Sequence, residues 1–123
     1  MYIELIAGPM FSRKTSSLLR KTEEVRLQYP SSKILYIIHS LDKERKMLSH
    51  SFVFDQKENH SSIDEFVYIQ KLGELEINED ITYGAICIDE AQFFEDLDVF
   101  VKKNNNRQNI KNIFIAGLDG SCK

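Results

Sequence analysis

The chain has 123 residues, of which 42% are apolar and 28% are charged, a composition typical of one soluble globular domain. A formal net charge of -3 argues against a dedicated nucleic-acid binder, and no apolar run or signal pattern indicates a membrane segment or a secreted protein. Two cysteines, Cys87 and Cys122, are too few for a disulfide framework or a four-thiolate zinc site, so we predict a reduced, cytoplasmic protein. From the charge and the lack of a membrane segment we predict neither nucleic-acid nor membrane partners.

Short apolar runs alternate with helical periodicity along the chain. Residues 2–7 are typical of a buried strand, residues 15–28 of an amphipathic helix, and the continuous apolar run in 33–39 of a central parallel strand. A polar segment follows at 40–62. After it we predict a short strand near 66–69, a weakly helical stretch at 71–80 and a buried strand at 85–88. The last elements are a helix that begins at 97 and is ended by a polar run at 102–109, with a solvated turn at 104–106, and a strand at 112–117. We find no internal repeat. This alternation predicts one α/β domain, with helices flanking a mainly parallel sheet.

A phosphate-binding pattern separates the first strand from the first helix. The pattern G-x-x-x-x-G-K-[ST] is matched by Gly8, Lys14 and Thr15, while Arg13 stands at its second glycine. In such a loop, backbone N–H groups bind phosphate oxygens, the lysine reaches the outer phosphates and the hydroxyl can bind Mg²⁺. The alternative is a plain helix entrance with Thr15 as its N-cap, but the strand–loop–helix context favours the phosphate loop.

An acidic pair follows the buried strand at 85–88. Asp89 can hold Mg²⁺ through its water shell, and the neighbouring carboxylate of Glu90 can accept a proton. Acidic residues at strand ends are often merely solvated. Its position about 75 residues after a phosphate loop makes the acidic pair a more specific indication of a nucleotide and Mg²⁺ site.

Three motifs occur in a family-specific order and spacing: Gly-Pro-Met-Phe-Ser-x-Lys-Thr at 8–15, Asp-Glu-Ala-Gln-Phe-Phe at 89–94 and Gly-Leu-Asp-Gly at 117–120. With them the chain resembles the type II thymidine kinase family over residues 2–120. The resemblance implies a P-loop NTPase-like fold and transfer of the γ-phosphate of ATP, with Mg²⁺, to the 5′-hydroxyl of thymidine for DNA precursor synthesis. It also implies a homo-oligomer, because the family forms tetramers.

The resemblance implies a role for each matching residue. Glu90 is the general base, Thr15 and Asp89 assist Mg²⁺, and Phe93 stacks on the thymine ring. The nucleotide is bound by the phosphate loop and by the acidic motif, namely Gly8, Pro9, Met10, Phe11, Ser12, Arg13, Lys14, Thr15, Asp89, Glu90, Ala91 and Gln92. For Phe94 we predict simple core packing instead.

Several positions depart from the family pattern. Arg13 replaces a glycine that permits unusual φ values and close approach to phosphate, so we expect strain and weakened nucleotide binding. Asp42 and Arg45 are one residue further apart than the family's Asp-x-Arg element, and a solvated charged loop explains them equally well. Cys122 stands where the family has an aromatic substrate contact. The chain stops before the lasso loop and zinc domain, so no zinc is expected.

Two rival functions follow from these departures. One is a degenerate P-loop module that binds nucleotide weakly or acts only by association. The other is a different P-loop NTPase or nucleoside kinase, against which the motif at 89–94 argues. The histidines at 39, 50 and 60 lack zinc-ligand spacing and are predicted to be surface or satisfied residues. Cys87 is predicted to be a small core residue, and the charges at 20–26 an exposed helix face with i,i+4 pairing.

Overall fold

A computed structural model describes the backbone of residues 1–7, 11–40 and 62–117, and the side chains of these residues except 7 and 11–15. The described ranges contain the strands β1 (Tyr2–Ala7), β2 (Lys33–His39), β3 (Glu65–Ile69), β4 (Tyr83–Ile88) and β5 (Asn112–Gly117) and the helices α1 (Phe11–Gln28) and α2 (Leu97–Asn104). Short 3₁₀ turns lie at Leu72–Glu74 and Ala91–Phe93.

The described strands form one sheet in the order β1-β5-β4-β2-β3, and every pairing is parallel. The predicted α/β class is therefore confirmed. Because the strands are parallel, their carboxyl ends meet along one end of the sheet, which we call the carboxyl end. Ligands of open α/β sheets bind at this end.

Apolar side chains cover both faces of the sheet. On one face α1 packs Leu18, Leu19 and Val25 against residues of β2, β4 and β5. On the other face Leu97 and Phe100 of α2 pack with Leu72 and Phe94 against the opposite side of the same strands. A sheet buried on both faces requires apolar residues at successive positions, which explains the continuous apolar runs in the sequence.

Three predicted boundaries change in the structure. α1 begins at Phe11, so Thr15 lies inside the helix and its interpretation as an N-cap is wrong. β3 and β4 begin at Glu65 and Tyr83, slightly earlier than predicted. None of the helices within the described ranges combines the length and the apolar character needed to cross a membrane.

The helix predicted over 71–80 is wrong, since the helical structure in this segment is limited to the 3₁₀ turn at Leu72–Glu74. The carboxylate of Asp96 accepts hydrogen bonds from the backbone nitrogens of Leu72 (3.0 Å) and Gly73 (2.9 Å), and Leu72 is fully buried. Short helices depend on tertiary packing more than on intrinsic propensity. Here the contact with Asp96, 24 residues away, fixes a turn instead.

The predicted solvated turn at 104–106 is also partly wrong. Asn104 is the last residue of α2 and is buried. Its side-chain nitrogen donates to the carbonyl of Phe100 at 2.8 Å, and its side-chain oxygen accepts from Nε of Arg107 at 2.7 Å. Asn104 therefore ends the helix as a hydrogen-bonded core residue.

Arg26 connects the end of α1 to the segment before β3. The prediction that it belongs to an exposed helix face is therefore wrong. Nη1 donates to the carbonyls of Pro30 (3.0 Å) and Ser32 (2.7 Å). Nη2 donates to the carbonyl of Ser62 (2.9 Å) and to Oδ2 of Asp64 (2.6 Å). Only a guanidinium offers this many donors in one plane.

Replacing Arg26 with lysine is expected to lower the free energy of unfolding by about 1 kcal/mol, because an ammonium cannot reach all these acceptors at once. Urea unfolding followed by circular dichroism measures the change. The exposed Arg20 of the same helix provides the matched control, and Arg20→Lys should have almost no effect. Equal stability of the two variants would contradict a connecting role for Arg26.

Candidate active site at the carboxyl end of the sheet

The candidate site lies where three of the strands end. Asp89 and Glu90 directly follow β4, β2 ends at His39, and the segment between β1 and α1 is the predicted phosphate loop. Three residues separate the end of β1 at Ala7 from the start of α1. This is the strand–loop–helix arrangement that a phosphate loop requires.

Asp89 is a buried and oriented carboxylate. Its Oδ2 accepts a hydrogen bond from the hydroxyl of Tyr36 at 2.6 Å, and its Oδ1 accepts one from the backbone nitrogen of Glu90 at 2.9 Å. Its own backbone nitrogen donates to the carbonyl of Ile37 at 3.0 Å. The interpretation of Asp89 as a solvated strand end is therefore wrong, because the side chain is held at both oxygens.

Glu90 is fully buried and adopts a left-handed backbone conformation with φ 49° and ψ 52°. Among the described non-glycine residues no other has a positive φ. Such a conformation costs on the order of 1–3 kcal/mol and is concentrated at functional sites. The carbonyl of Glu90 accepts from the backbone nitrogen of Phe93 at 3.1 Å, so the chain turns sharply after β4.

Gln92 holds the Glu90 side chain. Its Nε2 donates to Oε1 of Glu90 at 2.6 Å. The Oε1 of Gln92 is buried and has no hydrogen-bond partner among the residues that the structure describes. The left-handed turn and the glutamine together fix a carboxylate inside the protein, which is the arrangement that a positioned general base needs.

Aromatic rings surround the turn. His39 is buried, with its ring centroid 4.9 Å from that of Phe94 and 5.8 Å from that of Phe93. Phe94 is almost completely buried in the core, which confirms the predicted packing role, whereas Phe93 is half-buried. His39 is thus an interior ring that packs against the turn, so of the two alternatives predicted for it the surface position is wrong.

Cys87 is fully buried in β4, as predicted for a core residue. Burial raises the pKa of its thiol well above the usual range, with a further contribution from the nearby carboxylate of Asp89. A thiol of this kind is not a nucleophile near neutral pH.

Sequence reasoning did not identify Tyr36 as part of the site. Tyr36 pairs with Cys87 across β2 and β4, and Asp89 lies two residues beyond Cys87, so both side chains are on one face of the sheet. A signal was present in the apolar run at 34–38, because a buried tyrosine hydroxyl usually requires a hydrogen-bond partner.

The remaining predicted site residues lie wholly or partly outside the described part of the chain. Wholly outside it are Gly8, Pro9, Met10, Asp42, Arg45 and Cys122. Of the residues at 11–15 only the backbone is described, and it is helical. The expectation of unusual φ values at Arg13 is therefore wrong, because every L-residue adopts the α-helical conformation readily.

The described residues fit a Mg²⁺ ion that is bound mainly by phosphate and water. They contain no group of three or more His, Cys, Asp or Glu side chains that could hold a metal ion. Mg²⁺ in nucleotide sites is typically held by one or two carboxylates together with substrate phosphates, and Asp89 is the described carboxylate that could take this position.

Comparison with known proteins adds an independent observation. A family model described as thymidine kinase matches residues 1–123. The thymidine kinase of Amsacta moorei entomopoxvirus is 38% identical over 97% of this chain and 63% of its own length. Thymidine kinase 1 of Dictyostelium discoideum is 34% identical over 97% of this chain and 49% of its own length. The Monkeypox virus thymidine kinase is 32% identical over 98% of this chain and 61% of its own length. The chain thus spans less than two thirds of the length of these relatives.

Proposed function

The chain belongs to the thymidine kinase family, and from that membership we propose that it transfers the γ-phosphate of ATP to the 5′-hydroxyl of thymidine. The observation that carries the proposal is the buried acidic pair Asp89–Glu90, oriented by hydrogen bonds at the same end of the sheet as the start of α1. Residues 1–123 are proposed to form a single kinase domain of a cytoplasmic homo-oligomer.

Glu90 is the proposed general base. Its carboxylate accepts the proton of the 5′-hydroxyl while the new phosphorus–oxygen bond forms, and the hydrogen bond from Gln92 orients it for this step. Burial excludes water from the carboxylate, which strengthens its electrostatic interactions. The proposed contact for the thymine ring is Phe93, three residues further along the turn, and a second substrate contact is assigned to Cys122.

The nucleotide is proposed to bind between the acidic motif and the phosphate loop. The backbone and side chains of the loop would hold the phosphates, and Asp89 and Thr15 would hold Mg²⁺, whose positive charge would offset the charge of the transferring phosphoryl group. Asp42 and Arg45 are proposed to contribute to the same site. In all, the nucleotide contacts proposed are Gly8, Pro9, Met10, Phe11, Ser12, Arg13, Lys14, Thr15, Asp42, Arg45, Asp89, Glu90, Ala91 and Gln92.

A thymidine-dependent assay tests the proposal. Purified protein is incubated with Mg²⁺, γ-labelled ATP and thymidine, and labelled thymidine monophosphate is separated from ATP. Parallel reactions contain deoxycytidine, 5′-deoxythymidine or no nucleoside. Of these reactions we expect only the one with thymidine to give labelled product. 5′-Deoxythymidine serves as the control that lacks the acceptor hydroxyl. Turnover that does not depend on a nucleoside would indicate a different P-loop NTPase.

One observation favours a second candidate function, a degenerate P-loop protein that binds nucleotide and is catalytically weak or inactive. Arg13 occupies a position where the phosphate-loop pattern has glycine, and glycine there lets the backbone approach phosphate closely. ATP binding in a calorimeter, combined with no labelled product in the assay, would support this candidate.

Arg13→Gly is expected to tighten binding of ATP with Mg²⁺ about fivefold, roughly 1 kcal/mol. The reason is space for the phosphates and not relief of backbone strain, since the backbone is helical at this position. Isothermal titration calorimetry measures the change. Arg13→Ala is the matched control, because it removes the charge but retains Cβ. Weaker binding by both variants would show that the arginine charge itself holds phosphate.

A further inference from the structure

Tyr36 lies at the centre of β2 and is fully buried, yet its hydroxyl reaches the acidic pair. The hydroxyl donates to Oδ2 of Asp89 at 2.6 Å, across 53 residues of sequence. The ring packs against Phe66 of β3, with centroids 5.5 Å apart and planes inclined at 55°. Packing on β3 and the hydrogen bond to the residue after β4 thus fix the tyrosine from both sides.

The hydrogen bond from Tyr36 complements the one from the backbone of Glu90. Each donor binds a different oxygen of the Asp89 carboxylate, at 2.6 Å and 2.9 Å. Two donors on two oxygens determine both the side-chain rotamer and the plane of the carboxyl group. The positions of both carboxylate oxygens are therefore fixed, which is what a metal-binding carboxylate requires of its supporting residues.

We propose that Tyr36 is a positioning residue for phosphoryl transfer, whose hydroxyl fixes the Asp89 carboxylate for its interaction with Mg²⁺ and ATP. The inference rests on the proposed function. Tyr36 itself touches no reacting atom, and its effect passes through Asp89. The tyrosine therefore governs the Mg²⁺-dependent part of nucleotide binding and leaves the metal-independent part unchanged.

The first test compares Tyr36→Phe with a matched control. Tyr83→Phe also removes one buried tyrosine hydroxyl, but that hydroxyl accepts from the backbone nitrogen of Asn78 at the opposite end of β4. Calorimetric titrations with ATP are made with Mg²⁺ and with a chelator in its place. We expect Tyr36→Phe to reduce the affinity gained from Mg²⁺ by about 10-fold or more, in the range for lost supporting residues of metal sites. Tyr83→Phe should not change that gain.

A purely structural role for Tyr36 predicts a different result. In that case Tyr36→Phe weakens ATP binding equally with and without Mg²⁺, and this outcome would overturn the inference. Melting temperatures of both variants are measured by circular dichroism, so that a general loss of folding is seen directly.

The second test uses a double-mutant cycle with Asp89→Asn. If Tyr36 acts through the carboxylate, then Tyr36→Phe should have no further effect on the Mg²⁺-dependent gain in the Asp89→Asn background. Additive losses would overturn the inference. Failure of the proposed kinase function can be distinguished from failure of the role proposed for Tyr36. If ATP binding by the wild-type protein does not respond to Mg²⁺, both are refuted. A Mg²⁺ response that Tyr36→Phe leaves intact refutes the inference alone.

Discussion

Glu90→Gln is expected to lower thymidine phosphorylation by about 10²–10⁴-fold, the usual loss when a general base is removed. Glutamine has the same shape and can still accept the hydrogen bond that Gln92 Nε2 donates at 2.6 Å. It cannot take the proton of the 5′-hydroxyl. The thymidine-dependent assay measures the rate, and calorimetry with ATP and Mg²⁺ should show nearly unchanged nucleotide binding.

The structure offers a close control for this experiment. Glu95 lies five residues further along the chain with an exposed side chain, so Glu95→Gln changes the net charge equally without touching the turn. The free energy of unfolding should not decrease in Glu90→Gln. Glutamate and glutamine pay the same cost for the left-handed conformation at position 90, and a neutral amide is less costly to bury than a carboxylate. Full activity of Glu90→Gln would remove Glu90 from the mechanism.

The parallel sheet could be predicted from local sequence alone. Buried strands of parallel sheets are apolar on both faces, and the runs in β2, β4 and β5 show this directly. The acidic pair could be located as well, because it directly follows one of these runs. The same local reasoning failed over 71–80, where the contact from Asp96 replaces helical hydrogen bonds with a single turn.

The internal organisation of the site could not be predicted in this way. The hydrogen bond between Tyr36 and Asp89 joins two residues that are 53 positions apart in sequence, and it depends on the register between β2 and β4. The left-handed conformation of Glu90 has no signal in the sequence, since glutamate rarely adopts it. The surrounding turn imposes it, and that turn exists only in the folded chain.

α1 packs closely against the sheet at Gly84. The register between β2 and β4 pairs Lys33 with Tyr83 and then Ile34 with Ala85, so Gly84 is an extra residue at an irregularity. A Cβ atom placed on Gly84 would overlap Oγ of Ser32 and would lie 2.7 Å from Cγ1 of Val25.

Gly84→Ala is therefore expected to lower the free energy of unfolding by about 1–3 kcal/mol, the typical cost of overpacking a core, and Gly84→Val by more. A loss of this size is a substantial fraction of the roughly 5–15 kcal/mol that stabilises an ordinary domain. Urea unfolding measures it. Gly73→Ala is the control, because its added Cβ would lie 3.5 Å from Oδ2 of Asp96, an ordinary contact distance.

The overlap with Ser32 also predicts a coupling. Ser32→Ala removes the oxygen that the new Cβ meets, together with a 2.8 Å hydrogen bond from Oγ to the carbonyl of Tyr29, so alone it should destabilise by about 1 kcal/mol. Combined with Gly84→Ala it should cost less than the sum of the two single changes, because the contact with Ser32 Oγ is relieved while that with Val25 persists. Strict additivity would mean that the contact with Ser32 Oγ does not limit the size of residue 84.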